Sequence, residues 1–393
     1  MFNDWFPVSE TFPLAAPLIL SNAQIVTRED SFLGSVTVED GILQAITRGA
    51  HIPAGALDLE GHFLLPGLVE VHTDNAERHL EPRPGVHWPD PLAAILAHDA
   101  QVVAAGITTV MDAIALGEYE HGGPRRRILA TLISAFQEGR TAGLLKADHG
   151  LHLRCELADP AVTELFDAHA RNPALRLISL MDHTPGQRQF RDIDKWREFH
   201  RDKNWTDRDI ERLISESRER QARLSLPHRK HIVAVARDLG LTLASHDDTT
   251  PAHVDQAVAD GVTIAEFPVT REAAERAKAK SLRTVMGAPN VVRNGSHSGN
   301  MSALDLARAG LLDALSSDYV PFSLIQAPFL MAKRLNLPLP HCIAMVTDTP
   351  ARMLGYTDRG RIEEGARADL VDLRLYGDTP SIQRVWRAGR RIL

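Results

Sequence analysis

Along the middle of the chain, stretches with helical spacing of apolar residues stop at a glycine, a strand-like apolar run follows at once, and a polar residue closes it. PLAAILAHDAQVVAAGITTVMD supplies Gly106, then Ile107 to Met111, then Asp112. RKHIVAVARDLGLTLASHDD supplies Gly240, Leu241 to Ser245, then His246 and Asp247. HVDQAVADGVTIAEFP supplies Gly261, Val262 to Ala265, then Glu266; ALDLARAGLLDALSSDY supplies Gly310, Leu311 to Ser317, then Asp318. This is the grammar of alternating α/β units. Two more runs, GLHLRCE and LRLISLMDH, close on Glu156 and His183, Val69 to His72 reads as a first strand, and RTVMGAPN is a candidate before the loop VVRNGSHSGN. The count approaches eight, which predicts a (β/α)8, TIM-like barrel with its chemistry at the C-terminal strand ends, where these polar residues fall. The rival architecture is a doubly wound sheet. It more often brings a glycine-rich phosphate loop after its first strand, and the sequence has none there.

The two ends of the chain read differently. Residues from about Pro17 to Leu65, and again GRIEEGARADLVDLRL and IQRVWRAGRRIL, are short β-branched runs punctuated by Asn, Asp and Gly. The expected organisation is a small flanking β-sandwich built from residues 1–65 and 346–393 around a barrel over residues 66–345. One charged interruption, residues 187–226, carries two tryptophans and helical spacing in its second half. A solvated helical insertion is the plain reading, and a lid over the strand ends the sharper one.

Composition narrows the class. With 44% hydrophobic and 24% charged residues among 393, and no apolar run of the roughly 18 residues a membrane span needs, a globular protein with no membrane partner is expected. The start, MFNDWFPVSETFPL, has Asp4 and Glu10 and no basic residue ahead of its apolar positions, unlike a secretory signal. Cys155 and Cys342 are too few for a disulfide framework or a thiolate zinc site, which fits a reducing, cytoplasmic setting. A formal charge of -7 opposes a nucleic-acid surface, yet an anionic small molecule remains compatible if metals or arginines neutralise it.

Candidate chemistry gathers at the strand ends. In an extended chain residues i and i+2 point to one face, so His72 and Asp74 of HTD could grip one ion or one substrate atom together. His72, Asp74, Glu156, His183 and His246 are nitrogen and oxygen donors that suit zinc, or manganese or iron at higher coordination. Each alone has a plainer explanation: a structural His-x-Asp, or Glu156 paired with neighbouring Arg154. Their coincidence at separately inferred strand ends is what points to a metal site.

PGLVEVHTD followed by AAGITTVMD, with the late PARMLGYTDRGRIEEGARADLVDL, resembles the amidohydrolase superfamily over nearly the whole chain, from about Leu18 to Leu393. These are metal-dependent hydrolases on a (β/α)8 barrel with a flanking β domain. The usual His-x-His of the first strand is here His72-Thr73-Asp74. Together with HTDNAERHLEPRPGVHWP, DHGLHLRCE, SLMDHTPGQ, ASHDD and GAPNVVRNGSHSGN, this departure resembles the branch of the carbon-phosphorus lyase pathway. That branch splits a ribosyl 5-triphosphate bearing a 1-methylphosphonate into the 5-phosphate and pyrophosphate. The resemblance implies one or two divalent ions, zinc foremost, held by His72, Asp74, Glu156, His183 and His246. It implies that Asp318 orients the attacking water and accepts its proton, and that the partner is a small ribosyl triphosphate. Arg83, Arg154 and Arg293 are candidate phosphate contacts, and His297, Ser298 and Asn300 candidate contacts from a polar loop. A homo-oligomer is compatible with this reading. Two alternatives stay open: an amide or cyclic amide substrate on the same barrel and metal, and a silent relative that kept the barrel for binding.

Overall fold

All ten residues of Ile107–Leu116 are buried, the mark of a strand covered on both faces. A computed structural model places it inside a barrel; the structure describes residues 17–393 apart from 84, 118–124, 204 and 297–299. The reading of the first fourteen residues therefore falls outside the described residues. Among these, the early strands are β1 (Leu18–Val26), β2 (Ser31–Glu39), β3 (Ile42–Arg48), β4 (Leu57–Asp58) and β5 (Phe63–Pro66). The middle supplies β6 (Leu68–Thr73), β7 (Ile107–Leu116), β8 (Asp148–Glu156), β9 (Leu175–Met181), β10 (Thr242–His246), β11 (Ile264–Glu266), β12 (Arg283–Gly287) and β13 (Ala314–Ser316). The last are β14 (Leu370–Tyr376), β15 (Thr379–Arg387) and β16 (Arg390–Arg391).

Strands β6 to β13 form one parallel sheet in sequence order, each paired with the next. Its edges meet just beyond β13. Thr73 and Asp318 form a parallel bridge, the Asp318 N–H donates to the His72 carbonyl at 3.1 Å, and the Asp74 N–H donates to the Asp318 carbonyl at 3.2 Å. The fully buried Glu70 carboxylate ties this seam, accepting from the His72 N–H at 2.7 Å and the Ser317 N–H at 2.6 Å. The result is the expected (β/α)8 barrel, filled by Val69, Val71, Met111, Leu177, Ile264 and Val285. Gly106, Gly240, Gly261 and Gly310 each end a helical segment with φ between 64° and 82°, a backbone region a side chain would strain.

The second sheet has the order β16-β15-β14-β5-β1-β2-β3, with β4 on β1. β5 pairs antiparallel with β14, so both ends of the chain build the flanking β-sandwich. Leu20, Ile25, Val36, Leu43, Leu64 and Trp386 form its core. Asp148, at the base of β8, accepts from Arg359, Arg367 and Arg387, which joins this sheet to the barrel.

The charged interruption is not a separate appendage. A helix Ile193–Phe199 precedes a single helix Asp207–Asp238, whose start is fixed by a capping box between Thr206 and Asp209. This helix runs through Pro227 and merges with the barrel helix before Gly240, where the expected insertion stops at residue 226. Arg218 Nε donates to the Pro185 carbonyl at 3.2 Å and Gln221 Nε2 to Asp182 Oδ2 at 3.1 Å, fastening the helix to the loop after β9. Among the described residues no helix is long and apolar enough to cross a membrane.

Candidate active site

The C-terminal ends of the barrel strands surround a cavity of about 430 Å3. β6 delivers His72 to it and Asp74 follows, β8 delivers Arg154, the turn after β9 delivers His183, β10 delivers His246, and the seam delivers Asp318. Apart from Arg154, which sits inside β8 two residues before its end, these are the polar residues that close or follow apolar runs. The strands bury their preceding residues, so the first residue free of that packing is the one at the rim.

Beneath the cavity lies Glu266, at the end of β11 and fully buried. Its Oε1 is 3.2 Å from His72 Nδ1, its Oε2 is 3.2 Å from His246 Nδ1, and it accepts from Ser179 Oγ at 2.5 Å. One carboxylate therefore orients two imidazoles, which stack with centroids 5.7 Å apart and turn Nε2 away from Glu266. Burial disfavours the Glu266 charge, but His72 and His152 hold its carboxyl well below the usual range. His183 is held likewise by Glu156, whose Oε2 is 2.6 Å from Nδ1 and whose Oε1 accepts the His183 N–H at 3.1 Å. Glu156 thus stands behind His183 and is not among the described residues lining the cavity.

Asp247 completes this side, with Oδ2 3.4 Å from His246 Nε2 and 3.9 Å from His183 Nε2. A left-handed φ of 55° turns its backbone at the strand end. Potential ligand atoms of His183, His246 and Asp247 lie within 4.8 Å of one another, and so do those of His72, Asp74 and Asp318. Both donor sets are imidazole and carboxylate without thiolate, which fits a borderline or hard divalent cation. Cys155 and Cys342 are buried elsewhere.

Asp318 hydrogen-bonds Asp74, and burial together with the Asp74 charge pushes its carboxyl up to about 7, against the pull of His72 and Arg154. Arg154 Nη1 donates to Asp74 Oδ2 at 2.8 Å from a side chain only 8% exposed. Arg293 caps the short helix Ala288–Val292 and lines the cavity, as do Ser296 and Asn300. Asn290 braces that loop, donating to the Met301 carbonyl and accepting the Ala303 N–H, each at 3.0 Å. His297 and Ser298 lie outside the described residues. Arg83 is exposed in a bridge with Val86 and is not a described lining residue, because the helix Asn75–Leu80 ends before reaching it. Arg78, in the last turn of that helix, lines the cavity instead. Glu266, Asp247 and Arg78 are the residues that reading the sequence misses as site members. The first two close or follow apolar runs, a signal the sequence does carry.

His149 and His152 both lie outside the cavity lining. His152 bonds the Val71 carbonyl at 3.0 Å and Ser179 at 2.5 Å inside the barrel. His149 joins a buried network in which Asp112 takes His98 Nε2 and His149 Nδ1, each at 2.7 Å, and Asp99 takes His149 Nε2 at 3.1 Å. Burial disfavours the His149 cation, but Asp112 and Asp99 outweigh it and raise its pKa to about 9.

A sequence model of the amidohydrolase family matches residues 188–392. Alpha-D-ribose 1-methylphosphonate 5-triphosphate diphosphatase of Escherichia coli strain K12 is 44% identical over 378 residues, covering 95% of this chain and 100% of that relative. Among solved structures, 5-methylcytosine deaminase from Klebsiella pneumoniae superimposes with a TM-score of 0.65 at 15% identity, covering 96% of this chain and 98% of its own. N-acetylglucosamine-6-phosphate deacetylase from Pasteurella multocida does so with a TM-score of 0.64 at 13% identity, covering 95% and 99%. At such low identity these two speak for the fold alone. A parallel barrel ringed by imidazoles and carboxylates, the family match over half its length and a near full-length relative lead to one statement: the chain belongs to the amidohydrolase family.

Proposed function

We propose that this chain hydrolyses α-D-ribose 1-methylphosphonate 5-triphosphate to the 5-phosphate and pyrophosphate, in the use of phosphonates as a phosphorus source. The observation that carries the reading is the near full-length similarity to the diphosphatase of that name. A cavity setting Arg78, Arg154 and Arg293 against imidazoles and carboxylates supports it.

We place the attack at the α-phosphorus: water adds there, the bond from that phosphorus to the oxygen bridging to β breaks, and pyrophosphate leaves with that oxygen. Such a transfer needs positioning and charge neutralisation more than covalent help. Guanidinium forks match phosphate oxygens, which gives Arg78, Arg154 and Arg293 that task, with Asn300 holding the same end of the substrate. Asp318 orients the attacking water and accepts its proton. His72, Asp74, His183, His246 and Asp247 would hold the cation, zinc by their donor types, with manganese or iron where more oxygens join. When bound, it supplies Lewis acidity toward water and a phosphoryl oxygen. Glu266 and Glu156 act through the imidazoles they orient.

The test is phosphorus NMR of the metal-reconstituted protein with the ribosyl methylphosphonate triphosphate, beside ATP and a panel of amides. Pyrophosphate from the ribosyl substrate, formed much more slowly from ATP, is the expected result. Turnover of an amide alone would transfer the site to that chemistry.

A further inference from the structure

A second cavity, about 570 Å3, adjoins the first, and His183 lines both. One wall is aromatic. It is made by His183, His200, Trp196 and Trp205, with ring centroids 5.4 Å from His200 to Trp205 and 4.5 Å to Trp196, while Phe190, which lines the first cavity, lies 6.2 Å from both His183 and His200. The indoles of Trp196 and Trp205 stack at 5.9 Å and 22°. The opposite wall is one stripe of the helix Asp207–Asp238: Asp209, Arg212, Leu213, Glu216, Ser217 and Arg220 stand at i, i+3, i+4, i+7, i+8 and i+11, the pattern of a single face. That helix is tied over the loop after β9 by Arg218 and Gln221.

The position of this cavity in the ring decides its use. Arg293 and Asn300 follow β12, Arg78 follows β6, Asp318 follows β13, and Arg154, though carried by β8, reaches Asp74 after β6 at 2.8 Å, whereas His183 and the aromatic wall follow β9. In eight strands closed in sequence order, β9 faces β13 across the barrel. A substrate whose triphosphate lies toward Arg293, with its α-phosphorus beside Asp318, extends its sugar and C1 substituent toward His183. That substituent is the phosphonate with its organic group. Arg212 and Arg220 offer cations to the phosphonate oxygens, and the ring faces offer apolar area that a methyl group alone leaves largely uncovered.

Resting on the diphosphatase reading, we propose that this second cavity is the subsite for the organic group on phosphorus, and that it admits an aryl phosphonate as well as a methyl one. Aromatic groups gain from offset or edge contacts with indole and imidazole faces, and the cavity has room for a phenyl ring.

The experiment compares kcat/KM for pyrophosphate release from α-ribosyl 5-triphosphates bearing 1-methylphosphonate or 1-phenylphosphonate, with the metal-reconstituted full chain. The wild-type protein is expected to handle the phenyl substrate within about tenfold of the methyl one. Trp205→Ala removes a ring face and Leu213→Trp fills the space from the opposite wall. Each is expected to lower the phenyl-to-methyl ratio by about tenfold. Wild-type discrimination against phenyl by more than about tenfold overturns the proposal, and this measurement needs no variant to fold. An unchanged ratio in both variants overturns it too, since a purely structural defect lowers both substrates alike. Absence of pyrophosphate from both substrates with the wild type overturns the diphosphatase reading, and the subsite with it.

Discussion

Glu266 places one carboxylate oxygen 3.2 Å from each of two imidazoles, so a single side chain sets the tilt of His72 and His246. Glu266→Gln keeps the size and removes the charge that holds both Nδ1 protons. We expect it to weaken divalent-metal affinity about 10–100-fold and turnover with it, read by metal titration and by rate at fixed metal. Unchanged affinity would confine Glu266 to barrel packing. The residue closes a run that is legible in the sequence, yet its two partners lie 194 and 20 positions away, and no local pattern announces a carboxylate shared between strands. His72, His183, His246 and Asp318 are legible because each ends or follows an apolar run. Asp247 stands beside His246 in the same motif, but its place over the cavity depends on a left-handed φ that sequence does not display. Arg83 is legible only as a charge. The helix that stops at Leu80 gives the cavity Arg78 and leaves Arg83 to solvent.

The helix Pro91–Ala104 is joined to β7 and β8 by a buried polar network rather than by apolar packing alone. Asp112 bonds His98 and His149, and burial of the carboxylate is outweighed by those imidazoles, which keep it below the usual range. His149 is raised from 6.5 to about 9, so its stabilising share is fully present below pH 6.5 and is lost as pH climbs through about 9. Asp112 runs the other way: its share is present above the unfolded value of 3.8 and lost as pH falls through its lower folded value. Thermal stability should therefore decline from pH 6.5 to 9. His149→Gln should cost on the order of 3 kcal/mol at pH 6 and progressively less toward pH 9.5, read by melting at each pH. A penalty that stayed constant with pH would remove the charged His149 from the account.

The helix, glycine, strand rhythm made this architecture legible, but three strands start later than their apolar runs: β10 begins at Thr242, because the Leu241 N–H bonds the Ala236 carbonyl, and two more follow suit. Val262 N–H bonds the Ala257 carbonyl and Leu311 N–H the Leu306 carbonyl, so those residues still serve the preceding helix ends. β11 consequently begins at Ile264 and β13 at Ala314. Pro227 suggests a break and the chain makes none. Its missing N–H costs the helix one bond, which contacts on both sides of it tolerate, including Gln221 with Asp182 and His228 with the Leu157 carbonyl.

At the scale of the whole molecule, Asp74, Asp247 and Asp318 crowd one cavity with three imidazoles. A cation there binds the folded chain and not the unfolded one, worth about 4 kcal/mol at a thousandfold excess over Kd. Chelation should lower Tm and readdition restore it, followed by calorimetry with metal content measured in parallel. A Tm indifferent to chelator and to added zinc, manganese or iron would favour the silent relative. That both ends of the chain share a β-rich style is legible in the sequence. That Phe63–Pro66 pairs with Leu370–Leu373 is not, because pairing across such a separation leaves no local trace. During synthesis about 300 residues separate β5 from its partner, and at about 5–20 residues per second the ribosome needs roughly 15–60 s to supply them. For that interval β5 waits as an open edge, able to pair with a neighbouring nascent chain, and slower translation or loss of β14 would lengthen the exposure. A strand made about 300 residues later is thus the one that protects β5 from aggregation.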